Sequence, residues 1–132
     1  MDATLSREER LRSKRALERL FAEGRGGFVY PFRYVCLVGD KAADDQADNG
    51  QEAVRPASVL FSVPKRFHKR ANKRNLLRRR TREAYRLNKG LLADGGVRGA
   101  EIALIYSVKD VADYKRIENA VKRILSQIVE RM

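Results

Sequence analysis

The stretch KRFHKRANKRNLLRRRTREAYRLNK, residues 65–89, lies between two short apolar runs, and its reading settles how the chain is built. It holds twelve basic residues, Lys65, Arg66, Lys69, Arg70, Lys73, Arg74, Arg78, Arg79, Arg80, Arg82, Arg86 and Lys89, against one acid, Glu83. That is a local charge of +11 in a chain whose net charge is +12. Like charges gathered in one place cost folding free energy through self-repulsion, so the run implies a polyanionic partner. Eight of the twelve are Arg, whose planar fork pairs with phosphate and stacks on bases.

The same stretch carries the period of a helix. Leu77, Thr81, Ala84 and Leu91 step by four, three and seven residues, one apolar stripe on a helix from about residue 71 to 92. Arg74, Arg78 and Arg82 then lie one turn apart on one face, with Arg79, Arg82 and Arg86 on the next. Such like-charge pairs cost roughly 0.2–0.5 kcal/mol each, and acids at i+4 do not offset them. The helix therefore reads as a nucleic-acid surface rather than a solvated face. If five to eight phosphates are contacted, affinity should fall as roughly the 4th to 7th power of salt concentration.

Working outward, Ala57 to Val63 reads as a strand closed by Pro64, and Glu101-Ile-Ala-Leu-Ile-Tyr106 as another beyond a turn with Gly95, Gly96 and Gly99. The basic helix thus connects two strands of a sheet. DNA readout calls for a helix-turn-helix or similar geometry, so this placement favours RNA, and no DNA partner is expected. Upstream, Ser6 and Glu9 form an S-x-x-E capping box. Leu11, Leu17, Leu20 and Phe21 follow near helical spacing, and Gly24 is expected as a left-handed stop, giving a helix from about residue 7 to 23. Phe28–Tyr30 and Phe32–Val38 read as strands broken by Pro31. Alternation puts Phe32, Tyr34, Cys36 and Val38 on one face and Arg33, Val35 and Leu37 on the other. Residues 39–54 carry five acids and the Asn49-Gly50 turn signal, and are expected as a mobile acidic loop joining two strands of a hairpin. Asp113 can cap a last helix with the stripe Tyr114, Ile117, Val121, Ile124, Leu125 and Ile128.

The resulting order is α-β-β-β-α-β-α. It describes a small single-domain α+β sandwich over residues 1–132, with a mixed four-stranded sheet and three helices. At 43% apolar residues the chain can build a core despite its charge. No apolar run reaches the roughly 20 residues of a membrane span, and no signal peptide is visible at the N-terminus. A cytoplasmic protein without a membrane partner is expected. The single Cys36 excludes an intramolecular disulfide and a Cys-cluster metal site.

Arg74-Asn75-x-x-Arg78-Arg79-x-x-Arg82-Glu83, preceded by the strand end Ser62-Val63-Pro64-Lys65-Arg66, resembles the signature of the bacterial ribonuclease P protein subunit. The resemblance extends over nearly the whole chain in the same order. Two departures stand out: Leu76 occupies a position that is basic in the family, with Arg80 as a candidate replacement. The segment from Lys65 to Arg74 is also about one residue longer, bulkier at Phe67 and His68, and without glycine.

The resemblance implies a subunit that binds the catalytic RNA of ribonuclease P and the 5′ leader of precursor tRNA. That RNA hydrolyses the phosphodiester with Mg²⁺ held mainly by the RNA itself, none being expected on the protein alone. It also implies a left-handed β-α-β crossover. RNA-binding residues would be Lys65, Arg66, Lys69, Arg70, Lys73, Arg74, Asn75, Arg78, Arg79, Arg82 and Arg86. The leader would lie in a cleft between the first helix and the sheet, at Leu17, Phe21, Phe32 and Tyr34. Phe21 alone reads first as a core residue, because its stripe also serves packing.

No Ser-His-Asp, paired-carboxylate or phosphate-loop pattern is present, so no catalytic side chain is expected. His68, without a second His or a carboxylate at catalytic spacing, is expected in a loop or RNA-contact role. The competing reading is a structural RNA-binding protein of ribosomal type with no processing role.

Overall fold

Four strands form one sheet: β1 (Arg25–Val29), β2 (Phe32–Leu37), β3 (Ser58–Ser62) and β4 (Glu101–Tyr106), in the order β1-β2-β4-β3. The computed structural model describes residues 14–37, 57–97 and 100–130. β1–β2 and β2–β4 are antiparallel and β3–β4 is parallel, so the sheet is mixed, as expected. The helices are α1 (Lys14–Glu23), α2 (Ala71–Asn88), the five-residue α3 (Gly90–Asp94) and α4 (Tyr114–Glu130). The order α-β-β-β-α-β-α holds, with α3 a short addition one residue after α2.

One connection differs from expectation. β2 and β3, read as the two strands of a hairpin across residues 39–54, are not neighbours, because β4 lies between them. β4 is buried along nearly its whole length. A strand so apolar is stable only with cover on both faces and a partner on each edge, and so it takes the centre. Residues 39–54 themselves lie outside the described residues.

The two faces of the sheet are covered unequally. On one, Phe32, Tyr34 and Cys36 of β2 join Ile102, Leu104 and Tyr106 of β4 under α2 and α4, in the main core. On the other, Leu37 and Ala103 meet Leu20 of α1, with Ala16, Leu17, Val35 and Leu60 half-buried around them. α4 contributes the expected stripe, Ile117, Val121, Ile124, Leu125 and Ile128, all buried. Asp113 Oδ1 accepts the Arg116 backbone N–H at 2.9 Å, the side-chain cap that satisfies a free donor at the helix start. In α2, Leu77, Thr81, Ala84 and Tyr85 are buried, and Thr81 Oγ1 donates to Leu77 O at 2.8 Å. Leu91, expected in that stripe, is 39% exposed and Leu92 is buried instead. The break at Lys89 moves the register by one residue.

The Ser6–Glu9 capping box and the first turns expected from residue 7 lie outside the described residues. Gly24 ends α1, but not in the left-handed conformation; Gly96, at φ +84°, is the one described residue with positive φ. The constraint at Gly24 is close approach. A Cβ there would collide with Leu20 O and stand 2.8 Å from a Val35 methyl, so only glycine lets β2 pass under the helix end.

The polar tips of the core tyrosines Tyr34 and Tyr106 are paired, as a low-dielectric interior requires. Tyr34 donates its hydroxyl to Gln127 Oε1 at 2.6 Å. Tyr106 donates to Asp110 O and accepts the Ala112 N–H, and burial pushes its phenol above the ordinary range. His68 lies in the loop ahead of α2, as expected, but is buried there: its Nε2 lies 2.9 Å from Val108 O, and its ring meets Tyr106 edge-on. His68 thereby fastens the Lys65–Arg74 segment to the loop after β4.

Candidate nucleic-acid interface

α2 presents its charge by simple geometry. At 3.6 residues per turn, Asn75, Arg78, Arg79, Arg82 and Arg86 fall on the side turned away from buried Leu77, Thr81 and Ala84. Asn75, Arg78, Arg79 and Arg82 are exposed. Asn75 Oδ1 accepts from Arg78 Nη1 at 3.3 Å, holding that guanidinium along the helix surface. The first turn of α2 contains no acid, and Arg70 at the N-cap makes no side-chain cap, which leaves the positive end of the helix dipole open to an anion. Lys65, Arg66, Lys69, Arg70 and Lys73 surround that end and are exposed. Arg66 stands over the Phe67 ring at 4.8 Å.

Three arginines are turned to other tasks. Arg74, half-buried, donates from Nη1 to His68 O at 3.0 Å and Lys69 O at 2.7 Å, and so clamps the basic loop to the helix. Arg80 donates to Ala112 O at 2.7 Å and so braces the approach to α4. Arg86 donates from Nε to Glu83 Oε2 at 3.1 Å. That bond holds the Glu83 carboxyl below the usual range. The presentable basic surface is therefore Arg78, Arg79 and Arg82 with the loop ahead of the helix.

A cleft lies beside the first helix, where the second surface was expected, but different residues line it. An open cleft of about 580 Å³ runs beside α1, lined by Phe21 of α1, Gly26 and Phe28 of β1, and Arg33 and Val35 of β2. Phe21 and Phe28 are 51% and 57% exposed, so Phe21 is no core residue. Leu17 is half-buried in the small core beneath α1. Phe32 and Tyr34 do not belong to the cleft. Both are 0% exposed and point to the opposite face of the sheet. Side chains alternate across a strand, so the residues that face α1 are their neighbours Arg33 and Val35, with Phe28 paired opposite Arg33. The sequence signal for this was the charge at Arg33, since an arginine between apolar residues marks the face open to water.

Among the described residues no group of three or more His, Cys, Asp or Glu could hold a metal ion. No helix there is long and apolar enough to cross a membrane.

A family model described as Ribonuclease P matches residues 5–129. A Ribonuclease P protein component of Porphyromonas gingivalis is 35% identical over 127 residues, covering 94% of this chain and 85% of that protein. Another, from Chlorobaculum tepidum, is 33% identical over 117 residues, covering 83% and 70%. Among solved structures, an RNase P protein from Thermotoga maritima, in complex with 1-(4-fluorophenyl)-2-thiourea, superposes with a TM-score of 0.68. Its identity is 22%, over 89% of this chain and 98% of that one. The Staphylococcus aureus RNase P protein gives 0.67 at 16% identity, over 91% and 94%. The chain belongs to the ribonuclease P protein family.

Proposed function

We propose that this member of the ribonuclease P protein family is the protein subunit of the tRNA-processing ribonucleoprotein, binding its catalytic RNA and the 5′ leader of precursor tRNA. Arg78, Arg79 and Arg82, with Lys65, Arg66, Lys69, Arg70 and Lys73, would neutralise phosphates of the catalytic RNA. Bidentate guanidinium–phosphate pairs add geometry as well as charge. Arg74 and Asn75 would act through position, one holding the loop and the other holding Arg78. Phe21 and Phe28 would stack leader bases, and Arg33 between the strands would take a leader phosphate. Mg²⁺ would be held mainly by the RNA, which performs the hydrolysis, and the protein would supply no catalytic side chain. A subunit of this kind works in the cytoplasm.

The observation that supports this reading is the separation of two surfaces within one family member, an arginine face on α2 and an aromatic cleft under α1. The test is cleavage of a 5′-extended precursor tRNA by a bacterial ribonuclease P RNA at low millimolar Mg²⁺, with and without the protein. The expected result is protein-dependent cleavage at the mature 5′ end that is lost with Arg78→Ala/Arg82→Ala. Tight RNA binding with no stimulation of cleavage, even with the RNA of the same organism, would instead establish a structural RNA-binding role.

A further inference from the structure

An open cavity of about 870 Å³ lies between the turn joining β1 and β2 and one side of α4, and shares no lining residue with the α1 cleft or with the exposed arginines of α2. Tyr30 of the turn lines one wall and Lys115, Arg116, Asn119 and Arg123 of α4 the other. β1 is one edge of the sheet and β3, which leads into α2, is the other. The groove opens beside the β1 edge and borders the basic helix only through Arg80, which donates to the lining residue Ala112.

Three features give the groove a chemistry. Tyr30 is 39% exposed, whereas Tyr34, Tyr85 and Tyr106 are buried. Its hydroxyl donates to Asp110 Oδ2 at 2.6 Å and the Arg116 guanidinium stands 5.5 Å from its ring centroid, within cation–π range. The ring is thereby held at the groove as an aromatic–guanidinium platform, the kind of surface on which a nucleobase stacks. Lys115, Arg116 and Arg123 add three cations. Arg116 and Arg123 are seven residues apart, about 10 Å along the helix axis at 1.5 Å per residue, too far to close on one small anion. The nearby carboxylates are occupied, Asp110 with Tyr30 and Asp113 with the Arg116 backbone N–H.

The geometry points to a second RNA-binding site here, taking a short single-stranded segment with one base on the Tyr30–Arg116 platform and successive phosphates on Arg116, Lys115 and Arg123. It deepens the RNA-subunit reading and rests on it only for which RNA is bound in the holoenzyme; the binding itself can be tested on the free protein.

The test is a titration of the full-length ¹⁵N-labelled chain with octauridylate at low salt, following backbone amides. Saturable shifts are expected at Tyr30, Lys115, Arg116, Asn119 and Arg123. They should persist in Arg78→Ala/Arg82→Ala, which weakens only the α2 surface. They should be lost in Arg116→Ala/Arg123→Ala, whose side chains are exposed and whose cap uses a backbone N–H. Removing two phosphate contacts should lower affinity roughly 10-fold and reduce the salt slope by about 1–2. Shifts confined to residues 65–89 and the α1 cleft would overturn the site. So would identical saturation by inorganic phosphate alone, which would mean a simple anion site. Loss of cleavage stimulation with octauridylate binding at the groove retained would sink the subunit reading and leave the groove standing.

Discussion

The two faces of the sheet are built from the same strands yet do opposite work. Under α2 and α4, Phe32, Tyr34 and Tyr106 are sealed in the core, and each polar tip has an internal partner. Under α1 the cover is partial: Leu20, Leu37 and Ala103 form a small core, and beside it Phe28 and Arg33 are open to water. An aromatic residue on the first face is an anchor for folding, and one on the second stands open to solvent, where a ligand could reach it. The difference is one residue along the strand.

Substitutions can break that contrast, the largest effect coming from the sealed face. Tyr34→Ala should cost about 3–5 kcal/mol, the range for a buried aromatic, and also strand Gln127 without its hydroxyl partner; urea unfolding measures it. A loss under 1 kcal/mol would mean that Tyr34 is not a core residue. Next, Gly24→Ala should destabilise by roughly 1–3 kcal/mol, since its Cβ meets Leu20 O and Val35. A neutral result would show that α1 can lift from β2 at little cost.

Phe28→Ala should leave stability within about 0.5 kcal/mol, because the ring is mostly exposed. In the holoenzyme it should weaken binding of a leader-bearing precursor relative to mature tRNA, by about 1–3 kcal/mol if one base stacks on it. Equal effects on both tRNAs would remove Phe28 from the leader site.

The smallest effect is a pH dependence. Burial raises the Tyr106 phenol above its ordinary value, near 10 in model peptides. The neutral phenol is thus favoured in the folded state, and its stabilisation is fully present below about pH 10 and lost as pH rises through the folded value. Tyr106→Phe should flatten stability above pH 10 relative to the parent, read from denaturation midpoints between pH 8 and 11. An unchanged alkaline slope would refute the assignment.

Much of this architecture was legible from spacing. The stripe Leu77–Thr81–Ala84 and the stripe from Ile117 to Ile128 are periodic, and period follows directly from helix geometry. Glu101–Tyr106 was readable as a strand by its short apolar run. Alternation separated Phe32 and Tyr34 from Arg33 and Val35, but it could not say which set met α1; the large aromatics suggested a binding face, and packing took them for the core. Leu91 yielded to Leu92 because a one-residue break at Lys89 carries no periodic signal. The burial of His68 in its loop was not legible, because its partners, Val108 and Tyr106, lie about 40 positions away.

The sequence by itself determined the charge run, the order of elements and the family, because these depend on composition, local period and motif spacing. Only the tertiary structure decided that β4 separates β2 from β3, which face of β2 is sealed, and which arginines face outward. Arg74 and Arg80 have the same charge as Arg78, but each finds a backbone carbonyl within 3.0 Å. Arg80 meets its acceptor 32 residues away, and Arg74 meets its own only five and six residues back. The loop that carries the Arg74 acceptors takes its path from packing against distant segments, so helical period encodes neither.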